Sequence, residues 1–108
     1  MTVYRSRVAD AELTERMESA GAVLLEGPKS CGKTATAQRS ATTVFRMDTD
    51  DGARDLVDTA PELLLGARPP VLFDEWQVAP KLWNLVRRQV DDLGGEPGRF
   101  LLTGSATP

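Results

Sequence analysis

Short apolar runs and amphipathic stretches alternate along this chain. Residues 22–25, Ala-Val-Leu-Leu, form an unbroken apolar run of the length expected of a buried strand. Residues 42–47 are rich in β-branched and aromatic side chains and read as a second strand. Pro69-Pro70 marks a sharp start to a third strand at 71–73, and after the turn at 94–98 residues 100–103 read as a fourth. Between the strands the apolar spacing is helical. In segment 10–20, Leu13 and Met17 share a face, with Asp10 able to cap the helix and Gly21 suited to its end. Residues 33–39 are good helix formers, and 53–66 carry Leu63, Leu64 and Leu65 in a helix with Pro61 as a point of breakage. Pro80 suits the first turn of a helix bearing Leu82, Leu85, Val86 and Val90. Strand–helix alternation of this kind predicts an α/β domain with a mostly parallel sheet of about four strands.

Length and composition narrow the picture. At 108 residues the chain is one small domain, and a net charge of −3 offers no general attraction to nucleic acid or anionic membrane. One cysteine and no histidine exclude an intrachain disulfide framework and a common zinc site, which suits a reducing cytoplasm. No apolar run approaches the roughly 20 residues needed to span a bilayer, and the N-terminus lacks the apolar segment of a signal peptide. Ten of the 13 basic residues are Arg, a weak pointer to a GC-rich bacterial gene.

The chemistry is concentrated after the first apolar run. Gly27-Pro28-Lys29-Ser30-Cys31-Gly32-Lys33-Thr34 matches the phosphate-loop pattern G-x-x-x-x-G-K-[ST] at every fixed position. A phosphate chain needs several backbone N–H groups converging on it, and glycines allow the tight wrap that provides them. A helix starting at Gly32 adds its positive N-terminal end. Lys33 can bridge the β- and γ-phosphates, and the Thr34 hydroxyl can ligate Mg²⁺. The pattern follows a strand and opens a helix, the context in which it binds ATP with magnesium.

A second element, Val71-Leu72-Phe73-Asp74-Glu75, is an apolar strand ending in two carboxylates. Asp74 is suited to holding Mg²⁺ through water, and Glu75 to polarising an attacking water as general base. Ligands of an open parallel sheet collect at the C-terminal ends of its strands, so both elements face one crevice. Thr103 or Ser105, after the last strand, offers a hydroxyl to the γ-phosphate or the water, and the sequence leaves the choice open. Cys31, beside a helix N-terminus and Lys33, is expected to favour its thiolate, so that its alkylation blocks nucleotide binding.

Other residues read as packing or surface. Trp76 and Trp83, seven apart, fit one helical face. Asp48, Asp50 and Asp51 read as a solvated strand end in preference to a metal cluster. Arg87 and Arg88 point in different directions on a helix, so they cannot both be an arginine finger.

The chain resembles the prokaryotic AAA-type ATPases that carry a C-terminal domain of unknown function. The resemblance rests on Tyr4, Arg5, Arg7, Asp10 and Leu13 in a lead-in strand and helix over residues 1–20, and on Gly27-Pro28-Lys29 with Gly32-Lys33-Thr34. It continues through Asp74-Glu75 with Gln77 and through Phe100-Leu101-Leu102-Thr103-Gly104-Ser105. It implies a P-loop NTPase core over residues 21–108 and ATP hydrolysis. It also implies that the lid, the C-terminal domain, the arginine finger and the second sensor belong to parts that follow Pro108, and that the chain is the N-terminal portion of such an enzyme. The family's sheet order puts a later strand beside residues 22–25. Without it that run is expected to be a bare edge, prone to self-association. A small-metabolite P-loop kinase and a non-catalytic fragment are the rival readings, the first lacking a visible lid arginine and acceptor pocket.

Overall fold

The computed structural model describes residues 2–5, 10–27 and 33–105, with side chains for 12–26 and 35–105. In chain order the elements are β1 (Thr2–Arg5), α1 (Asp10–Met17), β2 (Ala22–Gly27), α2 (Lys33–Ser40) and β3 (Thr43–Arg46). They continue with α3 (Asp51–Thr59), α4 (Glu62–Leu65), β4 (Val71–Asp74), a 3₁₀ turn (Trp76–Val78), α5 (Lys81–Asp92) and β5 (Phe100–Ser105). The five strands form one parallel sheet in the order β1-β2-β5-β4-β3. The α/β class and parallel sheet are as the alternation predicted, with five strands where about four were expected.

Alternation along each strand splits the core between two faces. Ala22, Leu24, Val71, Phe73, Phe100 and Leu102 pack with Val57, Leu64, Leu82 and Val86 of α3, α4 and α5. Val23, Leu25, Leu72 and Leu101 pack on the other face with Leu13 and Met17 of α1 and Ala37 of α2. Because both faces are covered, the central strands have to be apolar at every position, which is why their sequence shows runs in place of alternation. Phe45, Phe73 and Phe100 stack across β3, β4 and β5 with centroid spacings of 5.8 and 6.3 Å.

The local chemistry explains the element ends. Asp50 caps α3, its Oδ1 accepting the Ala53 N–H at 3.0 Å, and Arg54 donates to the Met47 carbonyl and pairs with Asp51. Two of the three clustered aspartates therefore serve the start of α3, and no cluster of three or more Cys, Asp or Glu side chains placed to hold a metal ion occurs among the described residues. The 53–66 helix breaks at Pro61 into α3 and α4, as expected. At Gly21 a β-carbon would lie 2.6 Å from Val90 Cγ1, so the connection into β2 needs a residue without one. Lys81 reaches Asp58 at 2.6 Å and ties α5 to α3. Among the described residues no helix is long and apolar enough to cross a membrane.

One expectation is overturned. Residues 22–25 are not a bare sheet edge: β1 lies along β2 in parallel, with Thr2 opposite Val23 and Arg5 opposite Glu26. The lead-in carries β-forming Thr2, Val3 and Tyr4, and the α1 crossover returns the chain beside its own first strand. The edges of the sheet are β1 and β3. The tryptophans differ as well. Trp76 lies in the 3₁₀ turn and Trp83 on α5, so they are not on one helix, yet their rings meet at 5.2 Å as packing partners.

Candidate functional site

All strands of a parallel sheet point the same way, so their C-terminal ends form one rim. Register decides who meets whom along it. Gly27, at the end of β2, lies opposite Ser105, and two residues back Leu25 lies opposite Thr103. Thr103 in turn lies opposite Asp74 of β4, and Asp74 opposite Arg46 of β3. The start of the 27–34 segment, the hydroxyls of β5 and the Asp74 carboxylate at the end of β4 thus occupy adjacent positions.

Asp74, Glu75 and Thr103 are buried, with 6%, 7% and 0% of their surface exposed. Burial of a carboxylate is costly unless its oxygens find donors. The Thr103 hydroxyl donates to Asp74 Oδ1 at 2.6 Å, and the Arg46 guanidinium stands 3.9 Å from Oδ2. Strand alternation puts Asp74 and Thr103 on the same face as Leu72 and Leu101, which brings the pair together. Glu75 leaves the strand in the left-handed region, φ 55° and ψ 50°. For a residue with a β-carbon that conformation costs on the order of 1–2 kcal/mol. It ends β4 at the carboxylate pair, and Glu75 Oε1 receives the Ser105 hydroxyl at 2.7 Å. The Gln77 side-chain amide donates to the other oxygen, Oε2, at 2.5 Å.

The last strand is longer than expected and runs to Ser105, so Thr103 and Ser105 are strand residues, not members of a loose turn. The structure separates the two hydroxyls: Thr103 serves Asp74, and Ser105 serves Glu75. Gly27 ends β2, and Lys33 and Thr34 open α2. Pro28, Lys29, Ser30, Cys31 and Gly32 lie outside the described residues, as do the Lys33 and Thr34 side chains. Arg87 and Arg88 are exposed on α5.

Three contributors were given no task by the sequence reading. Arg46 was a strand residue with no assigned task, and Gln77 entered only through a resemblance. Gly104 is required because a β-carbon there would lie 2.9 Å from Gln77 Oε1 and 3.0 Å from Trp76 Nε1. The G-containing strand end and the Gln two places after the carboxylate pair were the available signals. A cavity of about 370 Å³ between α3 and the start of α5, lined by Arg54, Val57, Val78, Pro80 and Lys81, contains none of these residues.

In comparison with known proteins, the sequence profile of a family described as an AAA domain matches residues 19–108. No curated protein and no solved structure matches the chain.

Proposed function

The chain belongs to the AAA domain family, a family of nucleotide-binding modules, and from that premise we propose that it binds ATP with Mg²⁺ and hydrolyses it slowly. The observation that carries this reading is the convergence on one rim of Gly27, Ser105, Thr103, Asp74 and Glu75, with both carboxylates buried and supplied with donors.

The roles follow from the chemistry. Backbone N–H groups of residues 27–34 and the Lys33 ammonium hold the β- and γ-phosphates, helped by the N-terminal end of α2. Asp74 and Thr34 form an oxygen donor set of the kind a hard divalent cation requires, and the burial of Asp74 beside Thr103 keeps its carboxylate oriented. When bound, Mg²⁺ supplies neutralisation of phosphate charge. Glu75 accepts a proton from water as the water oxygen bonds to the γ-phosphorus. The bond from that phosphorus to the bridging oxygen breaks, and ADP carries the negative charge away. An arginine finger contributes about 10³–10⁵ in rate in related systems, and none is assigned here, so turnover by this chain alone is slow.

The finer likeness, to prokaryotic AAA-type ATPases with a C-terminal domain of unknown function, draws on the lead-in residues and on Gln77 after the carboxylate pair. A bacterial, cytoplasmic setting accords with it.

The test is binding of a fluorescent ATP analogue with Mg²⁺ to the wild-type chain, Lys33→Ala and Glu75→Gln. Binding lost in Lys33→Ala and kept in Glu75→Gln, with γ-phosphate release slowed in Glu75→Gln, is the expected result. A folded wild-type chain that binds no nucleotide would sink the reading.

A further inference from the structure

Gln77 has no role in the reaction proposed above, yet its amide reaches the group on which that reaction depends. It is an exposed residue of the 3₁₀ turn, and its Nε2 donates inward to Oε2 of the buried Glu75. From the opposite side Ser105 of β5 donates to Oε1. A carboxylate gripped at both oxygens by donors from two different elements has its plane and its position set. A carboxylate bonded at one oxygen can still rotate about its last torsion, which is broad for Glu.

The surroundings are built to admit this amide. Gln77 Oε1 and the Trp76 indole lie against β5 where Gly104 leaves room, and any larger residue at 104 would push into both. Trp76 is held in turn by Trp83 of α5, the two rings 5.2 Å apart and tilted by 38°. Glu75 itself sits in a left-handed conformation that local preference opposes, so its neighbours must hold it there. Turn, strand and helix thus act together on one side chain.

We infer that Gln77 is a positioning residue for the reaction: with Ser105 it orients the Glu75 carboxylate toward the water that attacks the γ-phosphate. The inference rests on the water-activating role proposed for Glu75. It makes the donor on Gln77 matter for the chemical step and not for holding nucleotide, because the bond that Gln77 makes is to Glu75, the group that acts on the water.

Single-turnover ATP hydrolysis and MgATP affinity, measured on the whole chain, test it. Gln77→Met keeps the length and removes the donor. The expected result is a hydrolysis rate about tenfold lower, part of the 10²–10⁴ that a general base supplies, with the dissociation constant changed less than about twofold. Ser105→Ala lowers the rate in the same way, and Ser105→Thr, which keeps the hydroxyl, restores most of it. A readout independent of activity is the Gln77 side-chain amide resonance, assigned by its loss in Gln77→Met. It shifts in Glu75→Gln if the two side chains are bonded. Hydrolysis at the wild-type rate in Gln77→Met, while Glu75→Gln is slow, overturns the positioning role alone. Wild-type hydrolysis in Glu75→Gln overturns the role of Glu75 itself, and the positioning role with it. An amide resonance that does not respond to Glu75→Gln removes the contact on which the inference stands.

Discussion

Ser105 and Glu75 are 30 residues apart in the chain, and the Ser105 hydroxyl donates to Glu75 Oε1 at 2.7 Å. The contact exists because β5 lies between β2 and β4, so that the residue ending β5 faces Gly27 on one side and the carboxylate pair on the other. Gly27, where the 27–34 segment begins, is therefore the register partner of the residue that touches Glu75.

The neighbouring bond, from Thr103 to Asp74, is fully buried. Thr103→Val keeps the shape and leaves the carboxylate short of a donor, which is expected to cost about 1.5–3 kcal/mol, as for hydrogen bonds to charged groups. Urea denaturation measures the loss. Thr103→Ser, which retains the hydroxyl and gives up one methyl, loses only about 0.8 kcal/mol. Equal losses in the two variants would show that packing, not the hydrogen bond, matters at this position.

Gly104 is bracketed by Gln77 and Trp76. Gly104→Ala brings a β-carbon to 2.9 Å from Gln77 Oε1 and 3.2 Å from Trp76 Cδ1. The amide can swing away, and the indole, packed on Trp83, has less freedom. The expected cost is about 1–3 kcal/mol of overpacking strain, together with an altered tryptophan emission. An unchanged thermal midpoint and spectrum would mean that the turn accommodates the methyl without moving.

Asp50 supplies the acceptor at the start of α3. Asp50→Ala is expected to lower stability by about 1 kcal/mol, the usual worth of a side-chain cap. Asp48→Ala, at an exposed turn position, is expected to be close to neutral. Added Mg²⁺ in the absence of nucleotide should stabilise wild type and Asp50→Ala equally if these aspartates hold no metal, which thermal denaturation at several Mg²⁺ concentrations checks.

The covering of β2 by β1 turns the expected association into a conditional one. Deleting residues 2–5 uncovers the edge of Ala22, Val23, Leu24 and Leu25, a run of four buried apolar residues. The shortened chain is expected to associate in a concentration-dependent manner, followed by sedimentation velocity, while the 108-residue chain sediments as the smaller species. A monomeric deletion variant would mean that the edge is protected in another way.

How much of this was legible beforehand depended on the range of the interactions involved. The α/β alternation could be read directly, because strands buried on both faces must be apolar throughout and helices must carry an apolar stripe. The 27–34 segment stood out because the phosphate-loop pattern sets particular residue types at fixed spacing over eight neighbouring positions, and the structure places its first residue at the end of β2 and its last two at the start of α2. Asp74 and Glu75 were legible for a similar reason, as charges ending an apolar strand. The break at Pro61 and the helix start at Pro80 came from proline's own stereochemistry.

What escaped was lateral. Which strand flanks β2, which hydroxyl meets which carboxylate, and that Arg46 stands beside Asp74 all depend on sheet order and register between segments far apart in sequence. Thr103 and Ser105 share a strand face by alternation, so local pattern could not divide their tasks; the offset between β4 and β5 did. Trp76 and Trp83 had helical spacing, but the intervening Ala79 and Pro80 break the run, and their contact is made by a turn meeting a helix. The chain's own sequence thus determined the elements and the chemistry each could carry, through backbone preference, apolar period and motif spacing. Only the tertiary structure decided which of those groups touch, because a parallel sheet joins strands through crossovers and its pairings are set by packing on both faces, not by proximity in the chain.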